Sequence, residues 1–175
     1  MQNKNIVIGI GNLLFRDDGI GIIAIKYLKE NFEFTPNLEL LDGGTLGFNL
    51  AEYFLEYDNV IIIDTISTDD EVGTIYKIPS DELLQSGTYK KTAHEVEVVQ
   101  MLEACSLYER MAKVTVFGII PQDIQTTEIG LSILMKEKFD ILIETLLKEL
   151  LSLGFKATKK SNIALENIIK ELQCH

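Results

Sequence analysis

Two kinds of hydrophobic pattern alternate along the chain. Short, continuous apolar runs are typical of strands that are covered on both faces of a sheet. Between these runs, apolar residues recur at the three- and four-residue spacing of amphipathic helices. Three runs occupy residues 6–10, 38–41 and 60–63, with helical stretches between them. The order strand, helix, strand, helix, strand predicts a doubly wound α/β sheet.

Two later runs complete the predicted sheet. Residues 73–78 follow the third strand after only a short connection. A parallel crossover needs roughly a dozen residues or more, so we expect this strand to run antiparallel. Residues 114–119 are the fifth strand, and Pro121 ends it. We therefore predict a three-layer α/β fold with a five-stranded, mostly parallel sheet, one antiparallel strand and helices on both faces.

The helical stretches extend beyond this sheet. They begin near residue 20, near residue 46, near residue 93 and near residue 132. The last of them is long and ends at Gly154, which suits the left-handed position after a helix. Beyond a basic connector, residues 156–160, lies one more amphipathic helix, which we expect to pack on the same chain. This predicts a domain over residues 1–154 and a helical extension over residues 155–175.

Composition and charge exclude several classes of protein. The chain has 175 residues and a formal net charge of −11, which opposes the phosphate neutralisation on which nucleic-acid binding depends. No apolar run approaches the roughly 18 residues of a membrane span, and the first run is strand-length, unlike a signal peptide. Cys105 and Cys174 fit neither a zinc spacing nor a disulfide framework. We expect a cytoplasmic monomer that binds neither nucleic acid nor membrane.

The turn after the first strand combines glycines with acids. Gly9 and Gly11 suggest a dinucleotide-binding turn, but Leu14 stands where the third glycine of that fingerprint belongs. Asp17 and Asp18 follow at the start of the next helix, where their charge would repel a pyrophosphate. Helix capping is a structural explanation for either acid.

Asp64 and His94 are two further candidate ligands. Asp64 follows the third strand and should emerge at the same sheet edge as the glycine turn, unless it only caps the next loop. Thr92 and Glu95 form a capping box around His94, in a first helical turn where the helix dipole favours the neutral imidazole. Neutral imidazole binds metals, although a histidine in such a position is more often simply exposed. With an acid of the turn, these residues could form a divalent-metal site that polarises a carbonyl and activates water.

Several motifs carry a family resemblance by their order and spacing. They are Gly9-Ile10-Gly11-Asn12 with Asp17-Asp18-Gly19-Ile20-Gly21, Asp42-Gly43-Gly44-Thr45, Asp64, His94, Gly118-Ile119-Ile120-Pro121 and Ile129-Gly130-Leu131-Ser132. As a set they resemble the nickel–iron hydrogenase maturation endopeptidases over roughly residues 5–152. That family has a five-stranded α/β fold and removes a C-terminal extension from the hydrogenase large-subunit precursor after nickel insertion.

The resemblance also implies a site. The family's metal-binding and catalytic trio falls on Asp18, Asp64 and His94, which leaves Asp17 as a helix-end residue. The nickel is expected to arrive in the precursor, so the free protein need not contain metal. Gly43 and Gly44 are expected to let the backbone approach the substrate closely.

Three questions stay open from the sequence. Either the metal or one of the carboxylates could activate the attacking water. A non-catalytic nucleotide- or metabolite-binding module is an alternative, with Asp42 in the position of a ribose-binding acid. A protease of the same fold with another substrate, such as a spore-protein protease, is a further alternative.

Overall fold

The computed structural model describes residues 4–45, 50–85, 93–108 and 110–174. The strands are β1 (Asn5–Ile10), β2 (Phe32–Thr35), β3 (Glu39–Gly44), β4 (Asn59–Thr65), β5 (Ile75–Pro79), β6 (Lys113–Ile119) and β7 (Lys156–Lys159). The α-helices are α1 (Ile20–Asn31), α2 (Leu50–Glu56), α3 (Ser80–Gln85), α4 (Ala93–Cys105), α5 (Ile133–Ser152) and α6 (Leu165–Gln173). A 3-10 helix, Arg16–Gly19, precedes α1.

The main sheet has the order β3-β1-β4-β6-β5. All neighbours pair in parallel except β5, which runs antiparallel to β6. This confirms the predicted sheet, including its antiparallel strand. The central strands are buried along nearly their whole length, as their continuous apolar sequence requires.

Alternate residues of the central strands face two separate cores. On one face, Val7, Ile61 and Phe117 pack with the apolar sides of α1, α5 and α6. On the other face, Ile8 and Ile62 pack with α2, α3 and α4. The three-layer arrangement follows directly, because side chains alternate along a strand and both sets here are apolar.

The connections change direction next to β1. The chain passes from β1 to β3 on one side and then returns to β4 on the other side. The carboxyl ends of β1 and β4 therefore border the crevice where open α/β sheets usually bind their ligands. The glycine turn follows β1 at this edge, and Asp64 is the penultimate residue of β4.

The segment after Gly154 is more than a helix. The basic connector forms β7, which pairs antiparallel with β2 in a separate two-stranded sheet, in a register that joins Phe32 to Lys159. Helix α6 packs on the body of the chain and buries Ile168 and Ile169, as expected for a self-packing amphipathic helix. The pattern did not predict β2 or β7, because each is four residues long and depends on a partner far away in the chain.

The ends of α5 agree with the sequence. Ser132 is the N-cap and accepts a hydrogen bond from the Met135 N–H, and Gly154 follows the helix with φ of +92°. The short helix α3 was not predicted. No helix among the described residues is long and apolar enough to span a bilayer.

Candidate active site

Two buried carboxylates meet at Thr65. The Thr65 N–H donates to Asp64 Oδ1 at 2.7 Å, and the Thr65 hydroxyl donates to Asp18 Oδ1 at 3.2 Å. Asp18 is 8% exposed and Asp64 is 3% exposed. The sheet edge thus brings together two of the three candidate ligands, although they lie 46 positions apart in the chain.

The position of Asp18 depends on the glycine turn. Asp18 lies in the 3-10 helix, and its Oδ2 accepts a hydrogen bond from the Asn12 N–H at 3.0 Å. Gly11 has φ of +138°, and a Cβ atom on it would lie 1.8 Å from the carbonyl oxygen of Asp18. A side chain at position 11 is therefore excluded twice, by the backbone conformation and by this contact. Gly11 lets Asp18 lie close to the end of β1. In a dinucleotide-binding turn, by contrast, the glycine makes room for a phosphate.

Gly9 and Gly21 make the second close approach of this turn. A Cβ on Gly9 would lie 2.1 Å from the Gly21 carbonyl oxygen, and a Cβ on Gly21 would lie 2.3 Å from the Ile63 carbonyl oxygen. Helix α1 therefore packs with its backbone directly on β1 and β4. This contact places the start of α1, and with it the 3-10 helix, against the end of β4.

Asp17 lies in the first turn of the 3-10 helix, as expected of a helix-end residue, but its side chain does not cap that helix. Neither the 3-10 helix nor α1 has a side-chain cap. The fully buried Asp17 carboxylate instead accepts three backbone N–H groups from a distant segment. They belong to Gln122 (3.1 Å), Asp123 (2.8 Å) and Ser132 (2.6 Å). Asp17 therefore joins the loop after β6 to the turn that carries Asp18.

Arg16 strengthens the same connection. It has φ of +45°, which is uncommon for a residue with a side chain. Its guanidinium lies 3.0 Å from Asp123 Oδ2 and 3.4 Å from Glu128 Oε2. The hydrogen bond to Asp123 also raises the pKa of Arg16. Hydrogen bonds from the Thr126 hydroxyl, the Thr126 and Gln125 N–H groups and Arg16 hold the pKa of Asp123 well below its usual range.

The second glycine motif borders the same turn. The Gly44 carbonyl accepts a hydrogen bond from the Gly11 N–H at 2.9 Å, and the Gly44 N–H donates to Asp42 Oδ1 at 3.0 Å. A Cβ on Gly43 would lie 2.8 Å from a methyl group of Ile8, so Gly43 is required for packing against β1. Gly44 has φ of +50° and open space where a side chain would be. Of the two, only Gly44 leaves room for a substrate to approach.

His94 is the second residue of α4. Thr92 and the side chains of His94 and Glu95 lie outside the described part of the structure. One helical turn after His94, Val98 lines a small cavity of about 20 Å³ together with Asp64 and Leu83. The first turns of α4 thus lie near the end of β4.

The metal site itself stays a prediction. Among the side chains that are described, no three of His, Cys, Asp and Glu are grouped so as to hold a metal ion, and the His94 side chain is not among them. The donors present nevertheless suit a divalent metal, because carboxylate oxygens and imidazole nitrogen are accepted by nickel and its neighbours in the first transition row.

Sequence reasoning missed Thr65 and the role of Asp17. Thr65 follows Asp64 directly, but a threonine at a strand end carries no distinctive signal. Asp17 was placed at a helix end, but its hydrogen-bond partners could not be foreseen, because they lie more than 100 residues away in the chain.

Comparison with known proteins decides the family. A sequence model of hydrogenase maturation proteases matches residues 22–149. The chain belongs to the hydrogenase maturation protease family. The matched region includes Asp64 and His94 and begins just after Asp18.

Individual relatives agree with this assignment. The chain is 29% identical to the hydrogenase 2 maturation protease of Escherichia coli, over 90% of this chain and 97% of that protein. It is also 29% identical to the hydrogenase expression/formation protein HupD of Rhizobium leguminosarum bv. viciae, over 89% of this chain and 78% of that protein. Its structure is similar to the hydrogenase maturating endopeptidase HybD from E. coli, with a TM-score of 0.82 and 27% identity over 90% of this chain and 98% of that one.

Family membership confirms the resemblance seen in the motifs. Hydrogenase maturation proteases are endopeptidases, which hydrolyse peptide bonds. The protease interpretation is therefore preferred over a nucleotide-binding module. The contacts of Gly9 and Gly11 agree with this choice, because both glycines are required by backbone packing within the turn.

Proposed function

We propose that this protein removes the C-terminal extension of a nickel–iron hydrogenase large-subunit precursor after nickel has been inserted. Nickel is then part of the substrate, and the protein recognises it through Asp18, Asp64 and His94. The observation that carries this proposal is the meeting of the Asp18 and Asp64 carboxylates at Thr65, at the sheet edge where α/β folds bind ligands.

The burial of the two acids supports a cationic ligand. Buried carboxylates in proteins are commonly paired with cations or coordinate metals. Asp18 and Asp64 are both buried and both accept a hydrogen bond from Thr65, which makes them suitable oxygen ligands for one divalent cation. His94 would contribute a neutral nitrogen ligand from the first turn of α4, the helix whose Val98 shares a cavity with Asp64.

The residues of the site can serve the hydrolysis in two ways. A bound divalent metal supplies Lewis acidity, which polarises a scissile carbonyl and acidifies water. Alternatively, a carboxylate of Asp18 or Asp64 within hydrogen-bond reach of a water molecule can accept its proton as the water attacks the amide carbon. In both cases the rigid turn orients the acids. The peptide nitrogen then leaves with a proton as the new C-terminal carboxylate forms.

The first test compares two forms of the substrate. Purified protein is mixed with nickel-loaded and with nickel-free precursor, and cleavage is followed by the loss of the C-terminal extension. We expect only the nickel-loaded precursor to be cut. Equal processing of both forms, or processing of neither, contradicts the proposal.

The second test addresses the trio. Asp64→Asn and His94→Ala should each lower the cleavage rate by at least about 100-fold, the scale typical of general acid–base groups. Matched controls replace exposed residues of neighbouring helices, namely Asp140→Asn on α5 and Gln100→Ala on α4. Undiminished cleavage by His94→Ala would remove His94 from the site while leaving the protease assignment intact. We further propose that the protein acts as a cytoplasmic monomer, which sedimentation of the purified protein and fractionation of cells can test.

A further inference from the structure

Thr65 is in contact with both candidate acids. Its N–H donates to Asp64 and its hydroxyl donates to Asp18, so one residue binds one oxygen of each carboxylate. The two acids come from different elements, Asp64 from β4 and Asp18 from the 3-10 helix. The hydroxyl bond of Thr65 therefore joins the end of β4 directly to the 3-10 helix.

The sheet holds Thr65 firmly. It is the last residue of β4, it lies opposite Ile119 in the parallel pairing with β6, and it is 2% exposed. Threonine is also branched at Cβ, which restricts rotation about its first side-chain bond. The hydroxyl that reaches Asp18 is therefore carried by a position with little freedom to move.

Asp18 accepts a hydrogen bond on each of its carboxylate oxygens. Its Oδ2 accepts the Asn12 N–H, which belongs to the turn itself. The hydroxyl bond to Oδ1 fixes the Asp18 carboxylate relative to β4, the strand that carries Asp64. Loss of the bond would remove this constraint on the direction of the Asp18 side chain.

We propose that Thr65 is a positioning residue that sets the spacing and direction of the Asp18 and Asp64 carboxylates for the nickel of the substrate. Thr65 does not touch the metal; it acts through the two acids. This inference rests on the proposed function. Groups that orient metal ligands in this way typically change metal affinity by about 10-fold to 100-fold when they are removed.

The test uses the intact protein with three substitutions. Thr65→Val keeps the shape of the side chain and the backbone donor to Asp64, but removes the hydroxyl that binds Asp18. Thr65→Ser keeps the hydroxyl. Thr115→Val is the matched control, because Thr115 is buried on β6 beside Ile61 and Pro79, away from the carboxyl ends of β1 and β4.

Two quantities are measured for each protein. The first is the affinity of the protein for nickel-loaded and for nickel-free precursor. It is obtained from binding of the protein to immobilised precursor in the cold, before cleavage proceeds. The second is the pair kcat and KM for cleavage of the nickel-loaded precursor. We expect Thr65→Val to bind the nickel-loaded precursor about 10-fold more weakly and to lose at least about 10-fold in kcat/KM, with unchanged affinity for the nickel-free precursor. Thr65→Ser should restore most of the loss, and Thr115→Val should match the wild type.

Each outcome has a definite meaning. If Thr65→Val keeps the wild-type preference for nickel-loaded precursor, the inference is wrong while the proposed function stands. If Thr115→Val loses as much as Thr65→Val, or if serine fails to restore binding, the effect is a general one of the sheet and the inference is again overturned. If the wild type itself does not distinguish the two precursors, the proposed function fails, and the inference fails with it.

Discussion

The carboxylate of Asp17 should be among the largest single contributors to stability near the site. Three backbone N–H groups donate to it, and it is fully buried. Asp17→Ala removes the acceptor from all three donors at once. The donors would then have to find water or remain without a partner.

The expected loss can be estimated donor by donor. A buried donor left without its partner costs about 1–3 kcal/mol. The Ser132 N–H is well buried and should cost an amount near the upper end of this range, whereas Gln122 is exposed and Asp123 is half-buried, so water can partly replace the acceptor there. We therefore expect Asp17→Ala to lower the free energy of unfolding by roughly 4–5 kcal/mol. This is a large part of the roughly 5–15 kcal/mol by which domains are stable.

Urea denaturation followed by circular dichroism measures this loss. At about 2–4 °C per kcal/mol for a chain of this size, the midpoint of thermal unfolding should also fall by roughly 8–20 °C. Asp140→Ala is the control, because it removes the same charge from an exposed position of α5. Asp17→Asn should lie between the two, since its one amide oxygen can still accept from part of the set.

A midpoint for Asp17→Ala that equals that of Asp140→Ala would refute this reasoning. It would mean that the loop after β6 holds its position without the carboxylate. If Asp17→Ala does not fold, Asp17→Asn decides the question. The NH2 group of asparagine cannot accept a hydrogen bond from a backbone N–H, so a wild-type unfolding midpoint for Asp17→Asn would also refute the reasoning.

Two further predictions concern acid pH and the C-terminal segment. The pKa of Asp123 is lowered in the folded protein, first by the Thr126 hydroxyl and also by Arg16, so its contribution to stability is complete above the unfolded pKa of about 4 and is lost as the pH falls below it. Asp123→Asn should therefore be less stable than the wild type near neutral pH. The difference in their free energies of unfolding, measured by urea titration, should narrow towards about pH 3, and a constant difference contradicts this. Truncation after Gly154 removes the buried Ile168 and Ile169 and leaves β2 without its partner strand. We expect the free energy of unfolding to fall by several kcal/mol, because each apolar side chain that is no longer buried costs on the order of 2 kcal/mol. A truncated chain as soluble and as resistant to urea as the full chain would instead support an independent domain over residues 1–154.

The fold was largely predictable because its signals are local. The buried runs of β1, β4 and β6 are continuous and apolar, so each could be recognised without knowledge of its neighbours. The short connection before β5 was enough to predict its antiparallel direction. The strands β2 and β7 carry no comparable pattern. Each depends on the pairing of Phe32 with Lys159, a contact that no local periodicity contains.

The candidate site was also predictable only in part. Residue type and order along the chain indicated Asp18, Asp64 and His94, through acids at strand ends and a motif set that resembles a known family. The resemblance placed Asp18 and not Asp17 in the trio, but residue type alone could not separate the two acids. Asp17 and Asp18 are adjacent in the sequence and chemically identical. Their hydrogen-bond partners give the physical reason for their different roles: Asp17 binds a distant loop and Asp18 binds Thr65.

The sequence alone thus determined the α/β class, the strand directions, the family resemblance and the residue types available to bind a cation. These features follow from hydrophobic periodicity, connection length and the order of motifs, all of which are written along the chain. The tertiary structure decided which oxygen of which acid accepts which donor. Hydrogen bonds such as those of Asp17 and Thr65 join residues that are far apart in sequence, and their geometry exists only once the sheet has brought the ends of β1, β4 and β6 together.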